Sequence, residues 1–336
     1  MKYLPAIIVA LLLISPSICG AQQLSPNPNP LGNTITADSA SLYNEVAFEN
    51  YGTIDATSNS TLINYSDVNN FGTLTNAGKV YNYGGRFYNS GTVDNDGTLF
   101  NYGDWDNHGT LANDGSFENY YILSNIGTFI NEGNLDNRDG TFINYGTFAN
   151  NSTLNNTGGS LTNSGFISGN GTFVGTVTDN GTLSPGNSTD VQSGGVFSTA
   201  VLTFTGLNKA GGSTEVQLGG LLDGGDNKAN TTFDWLEVSG DVSLAGTLNV
   251  SLLGDFALSD RDYFNVIRVD GTLSGQFDGL GEGGLVGTYG GEELFVTYGG
   301  GDGNDVVLYV NSIPEPNSTA FLILLAGLGI TVRRRR

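Results

Sequence analysis

The sequence predicts an all-β protein: a triangular β-solenoid followed by a β-rich capping region. Three observations predict it. The 336 residues include 51 glycines and only 13 % charged residues, and Gly with abundant Asn, Thr and Ser disfavours helix while suiting tight turns. A six-residue unit, apolar-x-Asn-x-Gly-x, recurs along the middle of the chain. The variable positions of that unit recur in turn at every third unit.

Seventeen units run from Leu62 to Leu161, with one extra residue inserted three times. All seventeen carry Asn two places after the apolar residue, from Asn64 to Asn163, and thirteen carry Gly four places after it. Period-two alternation puts the apolar residue, Asn and Gly on one side and the variable residues on the other. One hexad cannot bury its single apolar side chain alone, so units must coil and stack. The outward columns give the coil size. Tyr65, Tyr83, Tyr102 and Tyr120 form one, Asp96, Asp114 and Glu132 a second, and Thr73, Thr92, Thr110, Thr128 and Thr147 a third, each repeating at 18 or 19 residues. Three hexads, about 18 residues, therefore make one coil, and seventeen hexads make about six coils. The apolar column is expected to fill the core, and Asn to form a ladder at corners that tolerate the left-handed conformation. Gly is expected to relieve the turn.

The remaining elements follow in chain order. Residues 1–21 read as a secretory signal: Lys2, an apolar run over 4–14, and a small-residue cleavage site at Cys19-Gly20-Ala21. A lipobox ending at Cys19 is the rival, but Ile18 stands where that box needs a small residue. Cleavage would remove the only cysteine, leaving no disulfide. Residues 22–45, with Ser25-Pro26-Asn27-Pro28-Asn29-Pro30, read as a stiff polar tether. Residues 46–177 are the hexad solenoid and 178–311 the β-rich cap, expected because a solenoid end exposes unpaired strand edges.

Residues 312–336 carry Pro314-Glu315-Pro316, an apolar run over 320–332, and Arg333, Arg334, Arg335 and Arg336. As a helix, thirteen such residues span roughly 20 Å, a marginal crossing of a ~30 Å hydrocarbon core. The arginines fix the C-terminus in the cytoplasm. These three ordered elements resemble the PEP-CTERM sorting signal of Gram-negative bacteria. The resemblance implies an exosortase-type sorting enzyme as partner, with Pro314, Glu315 and Pro316 as its recognition residues. It also implies membrane attachment through the tail before processing, then delivery to the cell surface or extracellular polysaccharide. A plain membrane anchor is the alternative. Within the cap, Gly246-Thr247-Leu248-Asn249-Val250-Ser251-Leu252 resembles the strand that precedes the folded end of autotransporter-type passenger domains.

The net charge of −21 excludes nucleic acid as a natural partner, since no basic patch neutralises phosphates. Without both ends, the body carries seven basic against 32 acidic residues, about −25. The single histidine, His108, sits at an outward hexad position. Without a second His or a mature Cys, zinc sites and His-dependent triads are excluded, and no enzymatic activity or organic cofactor is expected. Residues 300–308, Gly-Gly-Asp-Gly-Asn-Asp-Val-Val-Leu, fit one copy of the calcium nonapeptide, which makes Asp302 and Asp305 candidate calcium ligands. Asp96, Asp114 and Glu132 are a second candidate set, because stacked like charges favour a shared cation. The tyrosine column offers an amphipathic surface for sugars. The threonine column suggests ice binding, but its partner column gives only one Thr-x-Thr rung, Thr73 with Thr75. The expected function is an exported structural or adhesive protein of the surface or matrix, held by polysaccharide or self-association. The alternatives are polysaccharide binding through Tyr65, Tyr83, Tyr102 and Tyr120 and, further off, ice binding or a polysaccharide-active enzyme.

Overall fold

The hexads fold into strands of three or four residues, from Thr61–Asn64 to Ser160–Asn163, with alternate residues buried. The computed structural model describes residues 21–38, 41–186, 199–225 and 227–310. Strand accounts for 57 % and helix for 1 % of these described residues, so the solenoid is all-β as expected. Each strand pairs in parallel with its equivalent one coil on, as in Leu62↔Val80, Phe87↔Trp105 and Leu111↔Phe129. Three strands per coil make three faces. One face is an 11-stranded parallel sheet from Thr34–Ala37 to Thr247–Leu252. Ten strand spacings make that face roughly 48 Å long. The other two faces join into one sheet, because the strand Thr172–Asp179 runs across the corner between them and bends at Gly175 (φ 97°).

All seventeen apolar hexad residues are buried, none more than 4 % exposed. Their rings pack along the axis: Phe87 on Trp105 at 4.0 Å, Trp105 on Phe117 at 5.5 Å, and Phe129 on Phe148 at 5.1 Å. The seventeen asparagines are equally buried, none above 2 %. A buried amide needs partners for its acceptor and both donor protons. The stacked coils supply them. One ladder runs Asn29, Asn50, Asn70, Asn89, Asn107, Asn125, Asn144, Asn163, each Nδ2 donating to the next Oδ1 at 2.6–2.7 Å. A second runs from Asn44 to Asn156 and a third from Asn76 to Asn150, with links of 2.6–2.8 Å. The second amide proton goes to a backbone carbonyl of the following coil, as from Asn89 to Thr110 O at 2.9 Å.

Four expectations change. The segment read as a tether is built into the first coil. Gln22–Gln23 pairs with Ser41–Asn44, Thr34–Ala37 pairs with Thr53–Ala56, Leu24 is buried, and Asn29 starts the longest ladder. With these flanking turns the whole rod has about nine coils roughly 19 residues apart, of which the seventeen hexads make about six. Parallel coiling also continues beyond residue 178 with longer coils, where Thr182 pairs with Ser213 and Ser213 with Thr247. Finally, the ladder needs no left-handed asparagine, since Arg261 is the only non-glycine residue with positive φ among those described. Close approach rather than turn conformation explains most hexad glycines: a Cβ on Gly91 or Gly109 would stand 2.0 Å from the glycine carbonyl of the preceding coil, whereas Gly158 takes a positive φ of 84°.

The C-terminal end is closed by an antiparallel meander, Leu285–Tyr289, Glu292–Gly300 and Asp305–Val310, joined to Tyr263–Val269. Cap groups take carbonyls near the last strand of the long face: Asp278 N donates to Gly246 O at 2.6 Å, and Tyr289 Oη to Val250 O at 3.1 Å. The longest ladder ends in an ion pair. Asn163 donates to Asp179 at 2.5 Å, and Asp179 meets the fully buried Lys209 Nζ at 2.6 Å. Lys209 also donates to Gly181 O at 2.7 Å. All the amide dipoles of this ladder point their donor ends toward residue 179. A carboxylate is therefore favoured there, and the lysine neutralises it.

Two predictions follow the ladder. Asn107→Ala orphans a donor on Asn89 and an acceptor on Asn125, at about 1–3 kcal/mol for each buried group; denaturant unfolding should show a drop of that order. Asp179→Asn leaves Lys209 as an unpaired buried charge and should cost about 3–5 kcal/mol. The double variant Asp179→Asn, Lys209→Met should recover most of that loss in thermal unfolding.

Candidate functional surface

The tyrosine column lies at one corner of the triangle, each ring just after a ladder asparagine. Centroids are 5.8 Å apart for Tyr65–Tyr83, 5.3 Å for Tyr83–Tyr102 and 4.7 Å for Tyr102–Tyr120, with planes within 16° of parallel. Tyr81 and Phe100 add a second stacked pair at 4.6 Å, and Tyr81 also stacks on Tyr83 at 5.3 Å. The inner rings thus cover one another's faces and turn their edges and hydroxyls outward. A sugar ring meets open π faces only at the ends of the column, Tyr65 and Tyr120. Burial, reinforced by the neighbouring phenols, pushes the Tyr83 hydroxyl up to about 12. Tyr120 Oη donates to Glu118 Oε2 at 2.5 Å. Tyr51 and Phe71 make a smaller stack at 5.0 Å at another corner, and His108 leans on Tyr88 at 4.8 Å.

Asp96, Asp114 and Glu132 occupy the same corner position in successive coils, as their N–H bonds to Asn76 O, Asn95 O and Asn113 O show. All three side chains are exposed. Glu132 accepts from Asn151 Nδ2 at 2.7 Å. Among the described residues, no three or more His, Cys, Asp or Glu side chains converge on a metal-holding point. The nonapeptide-like segment forms the turn between two cap strands. There Asp302 is exposed, whereas Asp305 accepts from Val269 N at 2.9 Å and Asn265 Nδ2 at 2.5 Å, locking the irregular strand beside it. Asp305 is thus taken up by hydrogen bonds within the cap, while Asp302 faces solvent. The threonine column is longer than expected: Thr34 and Thr53 extend it below Thr73, and Thr34-x-Thr36 adds a second Thr-x-Thr rung.

Sequence reasoning missed two features. A cleft of about 440 Å³ lies beside the acidic corner, lined by Glu132, Asn151, Asn170, Thr199 and Lys228. Lys228 there is already paired with Glu237. Asp234 is fully buried and accepts from Ala200 N at 2.9 Å and Gln217 N at 3.0 Å, tying two long-coil segments together; burial pushes its carboxyl well up. A charge opening the apolar run Asp234-Trp235-Leu236 was the available signal.

Pro314, Glu315, Pro316 and the arginines at 333–336 lie outside the described residues, as do residues 1–20 of the signal read over 1–21. Among the described residues no helix is long and apolar enough to cross a membrane. No family model, curated protein or solved structure matches the chain.

The acidic corner generates a pH prediction. Desolvation first, then the charges of Asp96 and Asp114, raise the Asp94 carboxyl above its ordinary value. A raised folded-state value means that the native chain takes up this proton before the unfolded chain does, so stability falls as pH rises through that window. Acidification from neutral toward about pH 4 should raise the melting temperature, and Asp94→Asn should remove part of that rise.

Proposed function

We propose that the chain is an exported structural or adhesive element of the cell surface or extracellular matrix, delivered through its C-terminal sorting tail. The observation that carries this reading is the set of three buried amide ladders running coil to coil through the solenoid. Each coil is bonded to the next through its core as well as its backbone, which favours a stiff rod that holds its shape without disulfides. Outward positions are repeated at each coil, so the surface offers columns rather than one shaped active site. The acidic body supports solubility and keeps copies apart at low salt. Stacked tyrosine faces favour a structural use of the aromatic column over sugar recognition along its length.

Deleting residues 314–336 tests the address. Cell fractionation should show the full chain passing through a membrane-associated form before processing, and the truncated chain losing both attachment and processing. The same membrane association and the same processed size in both would sink the proposal.

A further inference from the structure

The oxidisable side chains of this protein are distributed unevenly. The chain has 15 tyrosines against one cysteine, one methionine and two tryptophans. Cys19 and Met1 lie in the expected leader, and Trp105 and Trp235 are 0 % and 1 % exposed. One-electron oxidation of the folded body is thereby directed to tyrosine. Tyr51 is exposed and bonded to Glu49 at 3.2 Å, but it ends a stack of only two rings. Tyr120 combines three properties. It is 36 % exposed, it ends a column of stacked rings, and its hydroxyl donates to a carboxylate 2.5 Å away. The next residue in that column is Arg138 rather than another ring.

We infer that Tyr120 is an oxidative crosslinking site that joins two copies of this chain through a tyrosine–tyrosine carbon–carbon bond. The oxidant required is a one-electron oxidant of the high-valent metal-oxo or metal-polypyridyl class. At each of two copies, Tyr120 gives one electron to the oxidant and its hydroxyl proton to Glu118. The two phenoxyl radicals then join at ring carbons ortho to oxygen. The hydrogen on each joined carbon moves to its oxygen, restoring two phenols. The balance is two electrons and two protons lost for one bond formed.

The geometry supports each part. A phenol is protonated at neutral pH, and burial and the Glu118 hydrogen bond raise it further, so losing the electron requires a proton acceptor, and Glu118 already holds that position. Tyr102, Tyr83 and Tyr65 stack behind Tyr120 at 4.7–5.8 Å, a path by which an electron vacancy formed on the column reaches its exposed end. Coupling inside the column is disfavoured, because parallel stacked rings face each other while the new bond must join ring edges. Coupling between copies remains, opposed by the repulsion of two acidic bodies.

The test uses the purified full chain carrying Cys19→Ser, so it is independent of sorting and of disulfide dimers. A photogenerated ruthenium polypyridyl oxidant is applied. Dityrosine fluorescence, dimer yield and crosslinked peptides are read, and circular dichroism checks the fold of each variant. Tyr120→Phe, which keeps the stack, should lower dimer yield severalfold. Glu118→Gln should slow Tyr120 consumption at neutral pH. Tyr145→Phe, removing a tyrosine that is 57 % exposed but outside the stack, should leave the yield unchanged. Raising ionic strength from roughly 0.01 to 0.15 M shortens the screening length from ~30 to ~8 Å and should raise the dimer yield. An unchanged yield in Tyr120→Phe, an equal loss in Tyr145→Phe, or crosslinks confined within one chain would each overturn the inference.

Discussion

A primary amide buried in an apolar core is tolerated only if every donor and acceptor is met, and this constraint organises the molecule. Asn107 is fully buried, and within its own coil its amide reaches only Gly109 O at 3.3 Å. It has Asn89 below and Asn125 above, both at 2.7 Å. An unpaired amide in such surroundings costs about 1–3 kcal/mol, so an asparagine in one coil demands an asparagine at the same place in the next. The hexad is the sequence form of that demand. It also fixes register. A slip of one residue would turn the amides and the apolar column outward together, breaking core and ladder at once. Side-chain bonds of this kind polarise one another along the column, which adds cooperativity to the backbone ladder.

The same constraint makes the ends the difficult part. An amide ladder is directional, so one terminus lacks a donor and the other an acceptor. At the start of the longest ladder, Asn33 Nδ2 donates to Asn29 Oδ1 at 2.6 Å. At its finish Asp179 and Lys209 replace the amides. The other two ladders end on backbone carbonyls, Asn150 on Thr172 O and Asn156 on Thr176 O. Past this point the core changes to Phe204, Trp235 and Phe264, all essentially unexposed, and the coil no longer needs hexads. Coil length is then free to grow, because an apolar core fixes volume rather than register at single atoms.

This explains which parts of the structure the sequence disclosed. The apolar and Asn columns were readable because each coil repeats the same demand, and the stacked Tyr65–Tyr120 column was readable for the same reason. The first coil was not, because a terminal coil has only one neighbour to satisfy. Residues 22–45 keep the apolar-x-Asn pair of the hexad only at Leu31-x-Asn33 and Leu42-x-Asn44, and the prolines at 26, 28 and 30 read as extended chain. The glycine positions were readable but not their cause, since contact between coils is a tertiary property that one unit cannot show. The longer coils after residue 178 lost the period altogether. Their pairing depends on loops such as 219–232 folding out of the way, which no local pattern encodes.

Fixing the inward residues has a consequence on the outside. Once the coils are in register, each outward position sits about one strand spacing from its copies above and below. Any residue type placed there becomes a column, and its self-interaction is multiplied. Aromatic rings gain from this, at about 0.5–1.5 kcal/mol per pair beyond the area they bury. Carboxylates lose, because like charges directly opposite repel. The sequence follows that difference. The ring column continues through four coils, whereas the acidic column of Asp96, Asp114 and Glu132 stops at Asn151, whose amide donates back to Glu132. The two columns also stand at different corners, which separates the repulsive corner from the cohesive one. The aromatic corner accordingly presents a row of hydroxyl tips, with Tyr120 bonded to Glu118 at its open end.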